Sequence, residues 1–255
     1  GGGIFGFARG ARAGICLHEL LEKSVFTRPA GEEDRRRVEK LLTRHGLELP
    51  AAHPGEIDPV EVCLGLIEQV RSERLPFGAM AFGALDAPAR LDEWQFNLPV
   101  VDLVPSRLAT LVREHWRGES WIDHATERLS RLPSTRLRGM LGGFVDLLFT
   151  DGERWTVLDW KSNDLGASTD DYTQAAMRRA MIEHDYVVQL LFYLVATHRF
   201  LRTRLPDYDY DRHVAGASYV FLRGLRGDPD SGWCNVTPPR ALIEAIDTLF
   251  AGGRA

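Results

Sequence analysis

Between Gly139 and Asp164 the chain reads GMLGGFVDLLFTDGERWTVLDWKSND, and no other stretch restricts its fold so tightly. Gly142 to Phe149 is apolar apart from one carboxylate, Asp146. Asp151-Gly152 between two apolar runs is a strong short-range hairpin signal. Trp155 to Lys161 then returns with aromatic and β-branched residues. The pattern predicts two strands joined by a tight turn. Side chains alternate across a strand, so Asp159 and Lys161 leave the same face. Asp146, in the partner strand, joins them there if the pairing brings it to that face.

Two carboxylates and an ammonium on one sheet face suit metal-assisted phosphodiester hydrolysis. Carboxylate oxygens hold hard cations, and a lysine beside them can orient a water or meet developing negative charge. An ion pair at a strand end is the plainer account of Asp159 and Lys161 alone. Asp146 within an apolar strand argues further, because a charge there is costly unless paired or metal-bound.

The motifs GGFVDLLF, LDWKSN and Gln189-Leu-Leu-Phe-Tyr193 together resemble the PD-(D/E)xK nucleases of the RecB type, in particular the C-terminal nuclease domain of exonuclease V. The resemblance continues through DYTQAAM (171 to 177), HRFLR (198 to 202), DYDYD (207 to 211) and YVFLRG (219 to 224). It implies an α/β fold with a restriction-endonuclease-like core, a central mixed sheet flanked by helices. It implies Mg²⁺-dependent cleavage of single-stranded DNA delivered by a RecB-type helicase during double-strand-break end processing. Asp146, Asp159 and Lys161 become the expected catalytic residues. His18, Asp146, Asp159 and the Trp160 main-chain carbonyl become the expected metal ligands. His18 enters through Gly14-Ile-Cys-Leu-His18-Glu-Leu-Leu-Glu22, which matches a G-x-x-x-H-x-x-x-E-like helix of the family. On residue type alone His18 is equally a half-buried helix histidine.

Gln189 and Tyr193 are four apart and share a helix face. The resemblance turns them towards DNA or the metal ligands, and a core tyrosine with a bonded hydroxyl is the alternative. Glu93, at the start of a strand expected over Leu91 to Val101, is a weaker candidate beside the metal. Arg178, Arg179, Arg199 and Arg202, with Arg204, form the densest basic region and are candidates for phosphate contacts. The expected partners are single-stranded DNA, the RecB helicase portion, RecC- and RecD-type subunits and a RecA-type recombinase. A docking module for such subunits, or a stand-alone nuclease of the same superfamily, are the competing functions.

The rest of the chain sets bounds. Hydrophobic residues make up 44% and charged ones 26% of 255 residues, enough for a sizeable core. No apolar run reaches membrane-spanning length. The Gly-Gly-Gly start suggests a piece of a longer polypeptide and shows no signal peptide. Cys16, Cys63 and Cys234 are unpatterned, which argues against zinc or an iron–sulfur cluster and for the cytoplasm. A net charge of −5 leaves DNA contact to local basic patches or a bridging metal. No phosphate-binding loop of the G-x-x-x-x-G-K-[ST] type occurs, so a helicase motor would lie elsewhere in a parent polypeptide.

Periodicity predicts a helix over Gly10 to Phe26 with Ile15, Leu20, Leu21 and Val25 among its apolar positions, and helical segments between Arg28 and Leu75 interrupted by a proline-rich loop over 47–59. Pro76 to Pro88 reads as irregular and Pro105 to Arg138 as one or two helices. Ser168 or Thr169 is expected to cap a helix reaching Met181, followed by a helix over Tyr186 to Leu201. A strand over Gly216 to Arg223, a loop over 224–239 and a helix over Arg240 to Phe250 complete the chain. The expected division is a helical portion over residues 1–90 that contributes His18, and the nuclease core over residues 91–255.

Overall fold

The computed structural model describes residues 3–47, 57–78, 80–133, 135–228 and 230–253. Most of the loop expected over 47–59 lies outside them. The hairpin forms as its residues dictate. Strand β2 (Leu137–Thr150) pairs antiparallel with β3 (Trp155–Lys161), with Leu147 opposite Leu158 and Thr150 opposite Trp155. Asp151 closes the turn, its Oδ1 accepting from the Glu153 and Arg154 N–H groups at 3.1 and 2.7 Å. Around this hairpin stand β1 (Arg90–Leu103), β4 (Val214–Phe221) and β5 (Trp233–Val236), giving a five-stranded mixed sheet in the order β1-β2-β3-β4-β5. Every residue of β4 is buried. Strand β5 falls inside the segment expected to be a loop. Four residues carry too little periodicity to announce a strand.

The chain divides into two compact units that interleave in sequence. The first comprises Gly1–Asp92, Asp159–Met177 and Tyr219–Cys234. Its helices α1 (Ala11–Glu22), α2 (Glu32–His45) and α3 (Pro59–Ser72) pack on one another. Three acids open α2 and Arg44 and His45 close it, matching the helix dipole. The α3 start is capped by Asp58, which accepts from the Val60 N–H at 2.8 Å. In α1 the buried face is Ala13, Cys16, Leu17, Leu20 and Leu21. Ile15 and Val25, two apolar positions of the expected helix, are exposed. The helix ends at Glu22, so Val25 lies beyond its periodicity, and Ile15 points away from the α1 core stripe.

Two buried charged residues hold this unit's irregular segments. Arg223 donates to the carbonyls of Ile4 and Ala8, fixing the N-terminal segment. Glu73 accepts from the Gly227 N–H at 2.8 Å and the Trp233 indole N–H at 3.2 Å. Ser168 caps only a short turn at Thr169–Asp171, and the helix that follows, α6 (Gln174–Glu183), starts later than expected. The Ser168–Asp171 bonds are spent within that turn.

The second unit comprises Glu93–Leu158, Arg178–Ser218 and Asn235–Ala255. Helix α4 (Pro105–His115) packs on α5 (Ser120–Ser130) and on α9 (Arg240–Phe250), and α9 also meets α7 (Tyr186–Arg204). A short α8 (Tyr210–His213) is capped by Asp209, which accepts from the Arg212 N–H at 3.0 Å. No helix among the described residues is long and apolar enough to cross a membrane.

Candidate active site

Strand β3 ends in Asp159-Trp160-Lys161, all buried. Lys161 Nζ lies 2.8 Å from each carboxylate oxygen of Asp159. A charge pair this enclosed (2% and 8% exposed) is retained only with mutual compensation. The ammonium also stands 5.0 Å from the centre of the Tyr219 ring, a cation–π contact from the neighbouring strand β4. Between the two charges, Trp160 turns the opposite way and packs on Phe82, which in turn meets Phe26 edge-on. The alternation expected from the sequence is therefore what places the ion pair on one face and an aromatic anchor on the other.

The residues after Lys161 are held as well. Tyr172 Oη donates to the Asn163 carbonyl at 3.0 Å and accepts from the Leu165 N–H at 3.2 Å. Arg9 pairs with Asp164 at 2.8 Å. Helix α1 closes on this segment at Gly14. A Cβ there would lie 2.7 Å from Ser162 Oγ, so any side chain at position 14 would make that hydroxyl rotate away. His18 is one turn further along the same helix and is half-buried. Positions four apart share a face, so the face of α1 that meets Ser162 is the one that carries His18.

Asp146 lies in β2, half-buried between the buried Val145 and Leu147. It directly precedes Leu147, and Asp159 directly follows Leu158, the residue paired with Leu147. Among the described residues, no three His, Cys, Asp or Glu side chains are already gathered as a metal-binding group. Glu93 is half-buried in β1 with φ of +46°, a local departure from extended backbone.

Gln189 and Tyr193 meet as their spacing requires, Gln189 Nε2 donating to Tyr193 Oη at 2.7 Å. The Tyr193 ring packs edge-on against Phe96 of β1. The four arginines separate into three situations. Arg199 and Arg202 both bind Asp247 of α9. Arg178 stacks over Trp121 at 5.5 Å, and Arg179 is exposed. The three cysteines are buried and unpaired with one another as disulfides. Burial pushes the thiols of Cys16 and Cys63 up to about 11 and about 12. Sequence reasoning missed the Tyr219 ring under Lys161 and the Gly14–Ser162 approach. Neither has a local signal, since each joins residues far apart in the chain.

Residues 6–232 match the PD-(D/E)XK nuclease superfamily. The RecBCD enzyme subunit RecB of Escherichia coli (strain K12) is 36% identical over 248 residues, covering 96% of this chain and 20% of that protein. RecB of Haemophilus influenzae is 31% identical over 252 residues, with 97% and 19% covered. RecB of Mycobacterium tuberculosis (strain H37Rv) is 33% identical over 267 residues, with 96% and 24% covered. The chain thus spans about a fifth to a quarter of the length of these relatives. The buried Asp159–Lys161 pair therefore stands in a chain that belongs to the PD-(D/E)XK nuclease superfamily and is similar, along nearly its whole length, to part of the RecB subunit.

Proposed function

We propose that this chain is a Mg²⁺-dependent deoxyribonuclease domain that hydrolyses phosphodiester bonds of single-stranded DNA. The observation that carries the proposal is the buried Asp159–Lys161 pair at the end of β3, in a chain matched to a nuclease superfamily over residues 6–232. On this proposal residues 1–90 serve the nuclease core of residues 91–255 by donating His18. The RecB similarity supports a parent polypeptide with a helicase portion, acting with RecC- and RecD-type subunits in processing double-strand ends. The docking function has no observation of its own in its favour.

His18, Asp146, Asp159 and the Trp160 carbonyl are the proposed cation ligands. Three oxygen donors and one imidazole form a set suited to a hard or borderline divalent ion. A divalent cation in such a site supplies Lewis-acid polarisation of the phosphate and acidifies a bound water. Asp159 and Asp146 bring the negative charge that attracts the ion. Lys161, already donating to Asp159, redirects an N–H towards the attacking water or the phosphate oxygens, where negative charge develops.

Incubating the protein with circular single-stranded DNA, in Mg²⁺ and in EDTA, tests the proposal. Cutting in Mg²⁺ that disappears in EDTA and in Asp159→Ala supports it. Cutting by folded Asp159→Ala, or equal cutting in EDTA, would overturn it.

A further inference from the structure

Arg223, two residues after β4, is 1% exposed and carries its guanidinium into the interior of the first unit. Among the described residues no carboxylate pairs with it, and its Nε has no acceptor. A buried cation without partners is costly, and here the compensation comes from main-chain carbonyls. Nη1 donates to Ile4, and Nη2 donates to Ala8 at 2.8 Å and more loosely to Phe7 at 3.5 Å. Three carbonyls of one short strap, residues 4–8, thus converge on one planar fork. Arginine makes that match and lysine does not.

The strap is tied a second time, to the segment that follows Lys161. Phe5 packs edge-on against Tyr172, with ring centres 6.1 Å apart. Tyr172 is the residue whose hydroxyl bonds to Asn163 and Leu165, and Arg9 pairs with Asp164. Helix α1 begins at Ala11, with only Arg9 and Gly10 between it and the bonded Ala8. Seven residues on, about 10 Å along the helix axis, it carries His18. So short a connection leaves the start of α1 little freedom while Ala8 is held.

We propose that Arg223 is a positioning residue: by holding the strap it sets where α1 begins, and so where His18 stands relative to Asp159 and the Trp160 carbonyl. The role rests on the proposed place of His18 among the cation ligands. Metal ligation tolerates departures of only about 0.2 Å in a ligand distance. A helix loosened at its start carries its imidazole outside that tolerance. Asp159 and Trp160 belong to β3 and are anchored in the sheet. Loss of the Arg223 fork therefore costs the cation its imidazole and leaves those oxygen donors in place.

The test measures Mg²⁺ affinity by isothermal titration calorimetry, without DNA, in wild type, Arg223→Lys, His18→Ala and the double variant. Arg223→Lys keeps the charge and loses the fork. It is expected to weaken Mg²⁺ binding roughly tenfold, as loss of a residue that orients a metal ligand does, and to add nothing to the loss in His18→Ala. A lower Tm with unchanged Mg²⁺ affinity overturns the proposal, since a merely structural arginine gives that result. Additive losses in the double variant overturn it as well. Phe5→Ala loosens the same strap without touching the buried charge. It is expected to act in the same direction, and it carries the test should Arg223→Lys not fold. No Mg²⁺ binding by wild type, or equal affinity in His18→Ala, is a separate failure of the proposed ligand set. Positioning is then read from the His18 ring resonances of the metal-free proteins. A shift in Arg223→Lys and Phe5→Ala supports the strap as what sets the helix, and resonances that coincide with wild type overturn it.

Discussion

Lys161 donates to both carboxylate oxygens of Asp159 at 2.8 Å, and water reaches neither side chain appreciably. Removing one partner of a buried pair costs roughly 3–5 kcal/mol, because it strands the other charge. Replacing both by neutral groups of similar volume costs far less. Lys161→Met is thus expected to unfold at a clearly lower denaturant midpoint than wild type, and Asp159→Asn/Lys161→Met to recover much of the loss. On the proposed function, all these variants are expected to lose cleavage. Equilibrium denaturation across the four-protein cycle measures the coupling directly. Additive losses would show that the two charges are compensated elsewhere.

Divalent-ion binding should appear as stability, independently of any DNA. A ligand that binds only the folded chain stabilises it by about 2.7 kcal/mol at a hundredfold excess over its Kd. Mg²⁺ is expected to raise the Tm of wild type and to leave Asp146→Asn unchanged. Differential scanning fluorimetry with and without EDTA decides the matter. An equal rise in both proteins would move the ion away from Asp146.

The approach of α1 to Ser162 predicts a steric effect on catalysis without any change to the proposed ligands. A Cβ at Gly14 would lie 2.7 Å from Ser162 Oγ. Gly14→Ala is expected to lower the cleavage rate modestly, by roughly tenfold at most, because the Ser162 hydroxyl can rotate away from the new methyl. Ser162→Gly should restore part of that loss in the double variant. Steady-state rates of the two single variants and the double variant supply the check. No restoration would mean that the helix responds to some other neighbour.

Acid sensitivity should trace in part to Asp34, which is buried at the start of α2. Burial alone would raise its carboxyl, but Arg28 and the Gly31 N–H outweigh this and hold it below its ordinary value. A depressed folded-state pKa stabilises at pH above the unfolded value. That contribution disappears as the pH falls through the folded value. The Tm advantage of wild type over Asp34→Asn should therefore be full near neutrality and shrink below about pH 4. A difference that is constant from pH 7 to pH 3 would show that Asp34 acts only through packing.

Strand periodicity, the turn chemistry of Asp151 and the odd carboxylate in GGFVDLLF were enough to place the hairpin and to put Asp159 and Lys161 on one face. Those are short-range properties, and a strand has only two faces to choose from. The Gln189–Tyr193 bond was legible for the same reason, as a four-residue helix spacing. Strand β5 was not, because its four residues gain their conformation from the sheet they join. Nor could local periodicity place Ile15 and Val25 in solvent or delay α6 to Gln174. What only the tertiary structure decided were meetings between distant segments. Gly14 against Ser162, the Tyr219 ring beside Lys161, and Glu73 bonded to Gly227 and Trp233 are all of this kind. Each depends on close packing among elements separated by many residues, which residue type and spacing along the chain do not encode one segment at a time.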